Sequence, residues 1–332
     1  SLHIHFINKR KDILKKLLVM INPVSGTNSK AGLEQIITDK LSKSFNLDIR
    51  LTTAPGDATK YATEAVKNGY YAVIAAGGDG TVNETAKALI DTDTALGIIP
   101  AGSGNGLARH LYIPMDTESA LDIILQDHTL NIDYGTVNNK PFFCTFGVGF
   151  DAAVSWKFAQ QNRRGLITYL KSTFQEYIHY KAEEYTIKAN GNILTEKAFC
   201  VACSNASQYG NNAYIAPGAD ITDGLIDVTI IHAGNMINTA LVGIDLMSGT
   251  IKNNLLIETF KTKEITIERK TEGPAHIDGE PLILAKTLQI ETHHAALKTF
   301  APAKTEKFRP IITPITSRWN ETILKLRRLL NS

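Results

Sequence analysis

The residues best suited to chemistry lie in a glycine-rich turn, Gly77-Gly78-Asp79-Gly80-Thr81. An apolar run at 71–76 precedes the turn and is typical of a buried parallel strand, and a helical pattern follows from Val82. Glycines let the backbone approach a ligand closely, and the amides at the start of a helix favour phosphate groups. The sequence suggests no structural role for Asp79, so we expect its carboxylate to bind a magnesium ion or to accept a proton. The turn is therefore predicted to be a nucleotide phosphotransfer site.

The elements around this turn alternate between strands and helices. Strands are predicted at 17–21, 47–53, 71–76 and 95–99, and helices at 30–41, 57–68 and 82–90. This alternation predicts a parallel sheet with right-handed crossovers. Two further loops, at 22–28 and 100–106, leave the same carboxyl edge of the sheet as the glycine-rich turn. Ligands of α/β proteins bind at that edge, so the three loops are expected to form one site.

The pattern changes after about residue 130, where strands are separated by Asn-Gly and Asp-Gly turns. Strands are predicted at 132–137, 141–147, 185–189, 193–204, 225–231, 264–269 and 282–292, with helical segments at 165–180, about 236–260 and 317–330. We therefore predict an α/β domain at 1–130, completed by 306–332, and an antiparallel β-rich domain at 131–305. The aromatic face of 165–180 is compatible both with core packing and with a channel for a lipid chain.

Composition and missing motifs exclude several classes of protein. The 332 residues carry a formal net charge of +2 without a clustered basic face, so no nucleic-acid partner is expected. The apolar run at 17–21 is too short to span a membrane, which predicts a cytoplasmic protein with peripheral membrane contact at most. Cys144, Cys200 and Cys203 are too few for a disulfide framework and are predicted to be buried thiols. The sequence has no Walker-type P-loop, zinc-protease motif or nucleophile elbow.

Four motifs occur in the order seen in one family. They are Asn22-Pro23-Val24-Ser25-Gly26, the segment 77–84, Pro100-Ala101-Gly102-Ser103-Gly104-Asn105, and Asp278-Gly279-Glu280. Over essentially its whole length the chain resembles the diacylglycerol kinase-like lipid kinases, which include bacterial diacylglycerol kinases and the sphingosine and ceramide kinases. The loop at 102–108 is more similar to the sphingosine and ceramide branch, because bacterial diacylglycerol kinases usually have Gly-Thr-x-Asn-Asp there.

The resemblance implies a nucleotide domain, a β-sandwich lipid domain, and ATP in the cleft between them. It also implies magnesium-dependent transfer of the γ-phosphate of ATP to a hydroxyl of a lipid at a membrane surface. By residue matching, Asp79, Asp133 and Glu280 are assigned to catalysis, and Asp79 and Asp223 to metal binding. The residues assigned to the nucleotide are Asn22, Pro23, Gly26, Thr53, Gly77, Gly78, Gly80, Thr81, Glu84, Gly102, Ser103, Gly104, Asn105, Arg109 and Asp278. Asp151, Arg163 and Arg164 are assigned to the substrate.

Several of these assignments have structural alternatives. Glu84 follows Thr81 by three residues at a helix start, which also fits a capping box. The Asp223-Gly224 and Asp278-Gly279 pairs also fit simple turns, and the two arginines fit a solvated pair. Two other functions stay open: a kinase of a soluble nucleotide such as NAD, and an inactive lipid- or nucleotide-binding protein. The residues leave open which lipid is phosphorylated and whether the protein is a homodimer.

Overall fold

The computed structural model describes residues 14–24, 32–159, 180–210, 212–234 and 236–303. Its first half alternates strands and helices, as predicted. The elements are β1 (Lys16–Ile21), α1 (Leu33–Leu41), β2 (Asn46–Leu51), α2 (Asp57–Lys67), β3 (Ala72–Gly77), α3 (Asp79–Leu89), β4 (Ala95–Pro100), α4 (Gly106–His110) and α5 (Thr117–Leu125). The strands pair in parallel in the order β2, β1, β3 and β4.

Strands β1, β3 and β4 are buried because helices cover both faces of the sheet, whereas the edge strand β2 is only partly buried. Leu18 and Met20 of β1 pack with residues of α2 and α3. Leu17 and Val19, which point to the opposite face, pack with residues of α1 and α5. This arrangement explains why β1 and β3 appear in the sequence as continuous apolar runs rather than as alternating patterns.

The second half is rich in antiparallel strands. Its elements are β5 (Thr129–Val137), β6 (Lys140–Phe142), β7 (Thr145–Gly149), α6 (Phe150–Ala159), β8 (Glu183–Ala189), β9 (Asn192–Ser204), β10 (Ile226–His232), α7 (Met236–Ser248), a 3₁₀ turn at Ile251–Asn253, β11 (Ile257–Thr262), β12 (Glu264–Arg269), β13 (Gly273–Ile277), β14 (Glu280–Leu284) and β15 (Thr287–Phe300). The path β14-β13-β7-β9-β8-β12-β15 is antiparallel throughout. The predicted fold class, a parallel α/β unit followed by an antiparallel β unit, is confirmed.

Strand β15 belongs to both halves. It pairs antiparallel with β12 and β5, and near its end Thr299 pairs in parallel with Leu96 of β4. The side chain of Phe300 is buried in the core between β1, α1 and α5. The 15 strands therefore form one continuous sheet. The predicted boundary near residue 130 falls within β5 and stays a prediction, and the segment 306–332 lies outside the described residues.

Some predicted elements are wrong in their bounds. The segment 141–147 forms two strands, β6 and β7, because the N–H groups of Phe143 and Cys144 bind the Asp278 carboxylate instead of a neighbouring strand. The segment 282–292 is divided between β14 and β15. The helix predicted at about 236–260 ends at Ser248. The last residues of the predicted segment belong instead to strand β11, which pairs with β10.

Two other expectations concern burial and membranes. The three cysteines are free and buried, as predicted. Within the described ranges, no helix is both long enough and apolar enough to cross a membrane. The predicted helix at 317–330 and nearly all of the aromatic segment 165–180 lie outside the described residues.

Candidate active site

Asp79 begins α3 and binds the loop that follows β4. Its Oδ2 accepts the N–H of Asn105 at 2.9 Å, and its Oδ1 accepts the N–H of Gly106 at 2.8 Å. The inference that Asp79 has no structural role is therefore wrong, because its carboxylate holds the second glycine-rich loop against the first. Each oxygen still has one lone pair beyond these contacts, so the carboxylate retains the capacity to bind a further partner.

The glycines of the two loops are required by their close packing. A Cβ atom at Gly102 would lie 2.6 Å from the Cα of Gly78, and one at Gly104 would lie 2.7 Å from Asp79 Oδ2. A Cβ at Gly77 would lie 2.6 Å from the Cβ of Thr81. Real side chains do not tolerate such distances, so the structure brings together four of the predicted glycine positions for steric reasons.

The beginning of α3 offers backbone donors to a ligand. Its N-cap is Gly78, which has no side chain to cap the helix, so the first N–H groups have no partner within the helix. Such N–H groups, together with the helix dipole, favour phosphate. Gly80 and Ser103 are exposed beside this helix start. These two predicted nucleotide residues therefore face solvent at the edge of the loops.

The first loop reaches the same helix. Asn22 donates its backbone N–H to the Ala76 carbonyl at 3.0 Å and its side-chain amide to Thr81 Oγ1 at 3.0 Å. Pro23 follows and is exposed. Gly26 lies outside the described residues. The predicted convergence of the first loop on the turn at 77–81 is therefore observed at Asn22.

Asn105 and Arg109 brace the loop after β4. Asn105 has a left-handed backbone with φ 53°, and its side chain binds both the N–H and the carbonyl of Gly102, at 3.1 and 2.8 Å. Arg109 donates Nε to the Gly104 carbonyl at 2.9 Å. Both residues therefore shape the loop.

Thr53 lies between β2 and α2, and Glu84 reaches the start of α2 from α3. Thr53 donates its N–H and its hydroxyl to Asp57 Oδ2, at 2.7 and 2.8 Å. Glu84 accepts the N–H of Gly56, the N-cap residue of α2, at 3.0 Å. The capping-box alternative for Glu84 is wrong, because Thr81 lies inside α3 rather than before it. Its predicted nucleotide contact stays a prediction.

Asp278 joins the two halves of the chain. Its Oδ1 accepts the N–H groups of Cys144 and Thr145 at 2.8 and 2.9 Å. Its Oδ2 accepts the N–H of Phe143 at 2.9 Å and the amide of Asn83, on α3, at 3.1 Å. Desolvation raises the pKa of Asp278, although the three backbone donors oppose that shift. Four donors thus hold the Asp278 carboxylate between the two halves of the chain. Its predicted nucleotide contact stays a prediction.

Glu280 follows Asp278 on the turn between β13 and β14 and is exposed. Its Oε1 lies 3.7 Å from the position that a Cβ would take on Gly80. The contact between Asp278 and Asn83 fixes the base of the same turn against α3. The structure therefore brings the Glu280 carboxylate beside the glycine-rich turn, and its predicted catalytic role stays a prediction.

Asp151 lies in the first turn of α6, and its carboxylate accepts three hydrogen bonds. Oδ2 accepts from Tyr209 and from His276 Nε2, both at 3.0 Å, and Oδ1 accepts the N–H of Ala152 at 2.7 Å. A Cβ on Gly147 would lie 2.0 Å from Oδ2, so only glycine fits there. The side chain of Asp151 is 10% exposed. The predicted contact with a substrate headgroup is therefore not supported by the structure.

Asp133 lies on β5 and is fully buried. Its Oδ2 accepts the N–H of Gly224 at 2.6 Å, and its Oδ1 lies 2.7 Å from the N–H of Ala295 and 2.8 Å from His294 Nδ1. These partners hold the irregular stretch of β15 between His293 and Leu297. The structure assigns Asp133 this structural role and gives its predicted catalytic role no support.

Asp223 contacts a lysine where a metal ion was predicted. The Lys261 ammonium lies 2.6 Å from Asp223 Oδ2 and 3.1 Å from Asp227 Oδ2. This cation pairs with both carboxylates. The predicted metal contact of Asp223 stays a prediction. Arg163 and Arg164 lie outside the described residues.

A second group of potential metal ligands lies on β9, β10 and β11. His232 lies between Glu196 and Glu258. Its Nδ1 is 3.1 Å from Glu196 Oε2, and its Nε2 is 3.8 Å from Glu258 Oε2. The ligand atoms lie within 4.8 Å of one another. The two ring nitrogens of His232 therefore face different carboxylates, and the imidazole lies between side chains of three adjacent strands.

Three residues of this region were not identified from the sequence: Asn83, Tyr209 and His276. Asn83 stands inside the 77–84 motif, and His276 stands two residues before Asp278, where strand alternation puts both on one face. The sequence pattern therefore contains a signal from which Asn83 and His276 could have been identified. Tyr209 carries no comparable signal, because its contact with Asp151 spans 58 positions in the sequence.

Comparison with known proteins finds similar sequences over most of the chain. Residues 16–137 match the diacylglycerol kinase catalytic domain, and residues 145–300 match the YegS C-terminal NAD kinase β-sandwich-like domain. A Staphylococcus aureus diacylglycerol kinase is 28% identical over 298 residues, which are 87% of this chain and 93% of that protein. A Streptococcus pneumoniae protein with the provisional name lipid kinase is 29% identical over 273 residues, 80% of this chain and 92% of its own length.

A solved structure shows the same fold. It is a Bacillus anthracis protein, provisionally named a diacylglycerol kinase, with a TM-score of 0.75 and 26% identity. The match covers 88% of this chain and 98% of that one. The fold and the glycine-rich loops thus define a phosphotransferase with an alcohol group as acceptor. The chain belongs to the diacylglycerol kinase-like lipid kinase family, as the sequence motifs indicated.

Proposed function

We propose that the protein transfers the γ-phosphoryl group of ATP to a hydroxyl of a diacylglycerol- or sphingoid-type lipid. The reaction takes place between the glycine-rich loops of the α/β half and the turn carrying Glu280. The observation that carries this proposal is the position of Glu280, whose Oε1 lies beside Gly80 at the edge of the loops. A carboxylate opposite a phosphate-binding helix start is what a kinase needs to deprotonate an acceptor hydroxyl.

In the proposed reaction Glu280 accepts the proton of the lipid hydroxyl. The hydroxyl oxygen forms a bond to the γ-phosphorus, and the bond between that phosphorus and the β,γ-bridging oxygen breaks. The products are a lipid phosphate and ADP. The N–H groups at the start of α3 bind phosphate oxygens, and Asp278 holds the turn so that Glu280 faces them.

The donor set at Asp79 fits a magnesium ion. Carboxylate oxygens are ligands that Mg²⁺ prefers, and both oxygens of Asp79 have a remaining lone pair. We propose that Asp79 holds the ion, which when bound neutralises charge on the transferring phosphate. Because the acceptor is a lipid, we also propose peripheral contact with a membrane surface.

The test is a transfer assay with radiolabelled ATP, with and without magnesium. The acceptors are diacylglycerol, monoacylglycerol, sphingosine, dihydrosphingosine and ceramide in mixed micelles, and NAD in solution. Glu280→Gln should lower kcat by about 10²- to 10⁴-fold, the usual contribution of a positioned base. Glu272→Gln is the matched control, because Glu272 is an exposed glutamate just before β13.

The outcomes separate the alternatives. A labelled lipid that disappears with Glu280→Gln but persists with Glu272→Gln supports the proposal and identifies the acceptor. Label on NAD alone would assign the protein to soluble-nucleotide kinases. ATP binding without transfer to any acceptor would favour a binding protein.

A further inference from the structure

His276 occupies a buried position that the proposed reaction does not use. It lies on β13, with 1% of its side chain exposed, four residues before Glu280. Its Nδ1 accepts the backbone N–H of Gly279 at 3.4 Å, so the ring proton is on Nε2, which donates to Asp151 Oδ2 at 3.0 Å. One imidazole thus connects the turn that carries Glu280 to the start of α6.

Asp151 extends this connection. Its Oδ2 also accepts the Tyr209 hydroxyl at 3.0 Å, and the rings of Tyr209 and His276 meet edge to face with centroids 5.7 Å apart. Gly147 provides the space, because any Cβ there would lie 2.5 Å from His276 Nε2. The three polar groups are therefore enclosed by a backbone that only glycine permits.

The same network reaches the loop after β4. A Cβ on Gly106 would lie 3.6 Å from the Tyr209 carbonyl oxygen, and one on Gly210 would lie 3.1 Å from the Cα of Gly104. The segment containing Tyr209 thus packs directly on the loop that Asp79 binds. The imidazole and its partners link the Glu280 turn with the nucleotide loop from the interior.

We infer that His276 is a positioning residue for Glu280, acting through Gly279 and Asp151. This inference rests on the proposed function of Glu280. Burial within a hydrogen-bonded network fixes a turn more firmly than the turn residues can alone, and phosphoryl transfer depends mainly on positioning. The role requires both ring nitrogens, so a side chain that replaces only one contact restores only part of the activity.

The first measurement compares kcat and KM for ATP in wild type, His276→Leu and His276→Gln. We expect His276→Leu to lower kcat by about 10- to 100-fold with little change in KM, as is typical of a displaced catalytic group. His276→Gln retains a donor for Asp151 and should recover part of the rate. His128→Leu and His128→Gln are the matched controls, because His128 is a partly buried histidine that binds the Ala301 carbonyl elsewhere.

The second measurement is hydrogen exchange of the backbone amides, which does not depend on activity. In His276→Leu, exchange should accelerate at 277–282 and remain at the wild-type rate in β1 and β3. Wild-type kcat with wild-type exchange at the turn would overturn the inference, and so would faster exchange throughout the protein, which indicates a general folding role. If the wild type transfers phosphate to no acceptor, the proposed function fails, and the exchange pattern alone decides whether His276 holds the turn.

Discussion

Replacement of Asp79 by alanine separates the observed loop contact of this carboxylate from its proposed role in holding a metal ion. The side chain accepts two backbone N–H groups, from Asn105 and Gly106, at 2.9 and 2.8 Å. Both donors belong to buried residues, so they lose their partner without gaining full access to water. An unsatisfied buried donor costs about 1 to 3 kcal/mol, so the loss of partner for two donors in Asp79→Ala should lower the free energy of unfolding by about 2 to 6 kcal/mol.

The same substitution should affect transfer by more than this destabilisation explains. We expect kcat to fall by at least about 100-fold under conditions where the variant is folded, because the group that holds the proposed metal is gone. Asp116→Ala is the matched control. Asp116 is the N-cap of α5 and accepts the N–H of Ser119 at 2.9 Å, so it is a carboxylate with a comparable backbone contact.

The assay combines urea unfolding with steady-state transfer at saturating ATP. Asp116→Ala should lose about 1 kcal/mol of stability and retain wild-type kcat, since capping carboxylates contribute about that much. If Asp79→Ala is destabilised but transfers phosphate at a near-normal rate, the catalytic role of Asp79 is refuted and only its loop contact remains. If its stability is unchanged, the observed contacts with Asn105 and Gly106 are not energetically important.

Further predictions concern the contact between the halves, the glycine loops and pH. Asn83→Ala removes the amide that Asp278 accepts at 3.1 Å, and should cost about 1 to 3 kcal/mol in urea unfolding; no change would show that the contact is dispensable. Gly102→Ala places a Cβ 2.6 Å from Gly78 Cα and should weaken ATP binding, measured by calorimetry; wild-type affinity would contradict the packing argument. Burial lowers the pKa of His110 in the folded protein to about 4. As the pH falls, this histidine is therefore protonated in the unfolded chain before it is protonated in the folded protein, which favours unfolding. Relative to His110→Asn, the wild type should therefore lose about 2 kcal/mol of unfolding free energy between about pH 7.5 and about pH 5, and parallel pH curves would contradict this pKa.

Local patterns predicted most of the elements in the first half. Local sequence is sufficient to predict the apolar strands β1 and β3 and the glycine turn between β3 and α3. The sequence pattern predicts that α3 begins at Val82, three residues after its observed start at Asp79. Glycine and aspartate disfavour helix interiors, but they are common in the first turn of a helix. The close approach of the Gly78 and Gly102 backbones could not be predicted from the sequence, because it depends on how two loops pack against each other.

Long-range partners explain the remaining differences. Phe143 and Cys144 read as strand residues, but their N–H groups bind a carboxylate more than 130 positions away, which interrupts the strand. Asp133 and Asp223 were assigned from motif matching, which does not reveal that Ala295 and Lys261 complete their hydrogen bonding and charge. A carboxylate in a motif can therefore have a structural partner that only the fold reveals.

The shared strand β15 also bears on how the protein is made. Phe300 fills the core of the first sheet, and Thr299 pairs with Leu96, so the α/β half obtains its last strand from the end of the described chain. During synthesis, about 200 residues separate Leu96 from that partner, and domains that are continuous in sequence fold as they emerge. The edge of β4 therefore stays unpaired until β15 has been synthesised. This edge is where chaperones would bind the nascent chain or where premature association would begin.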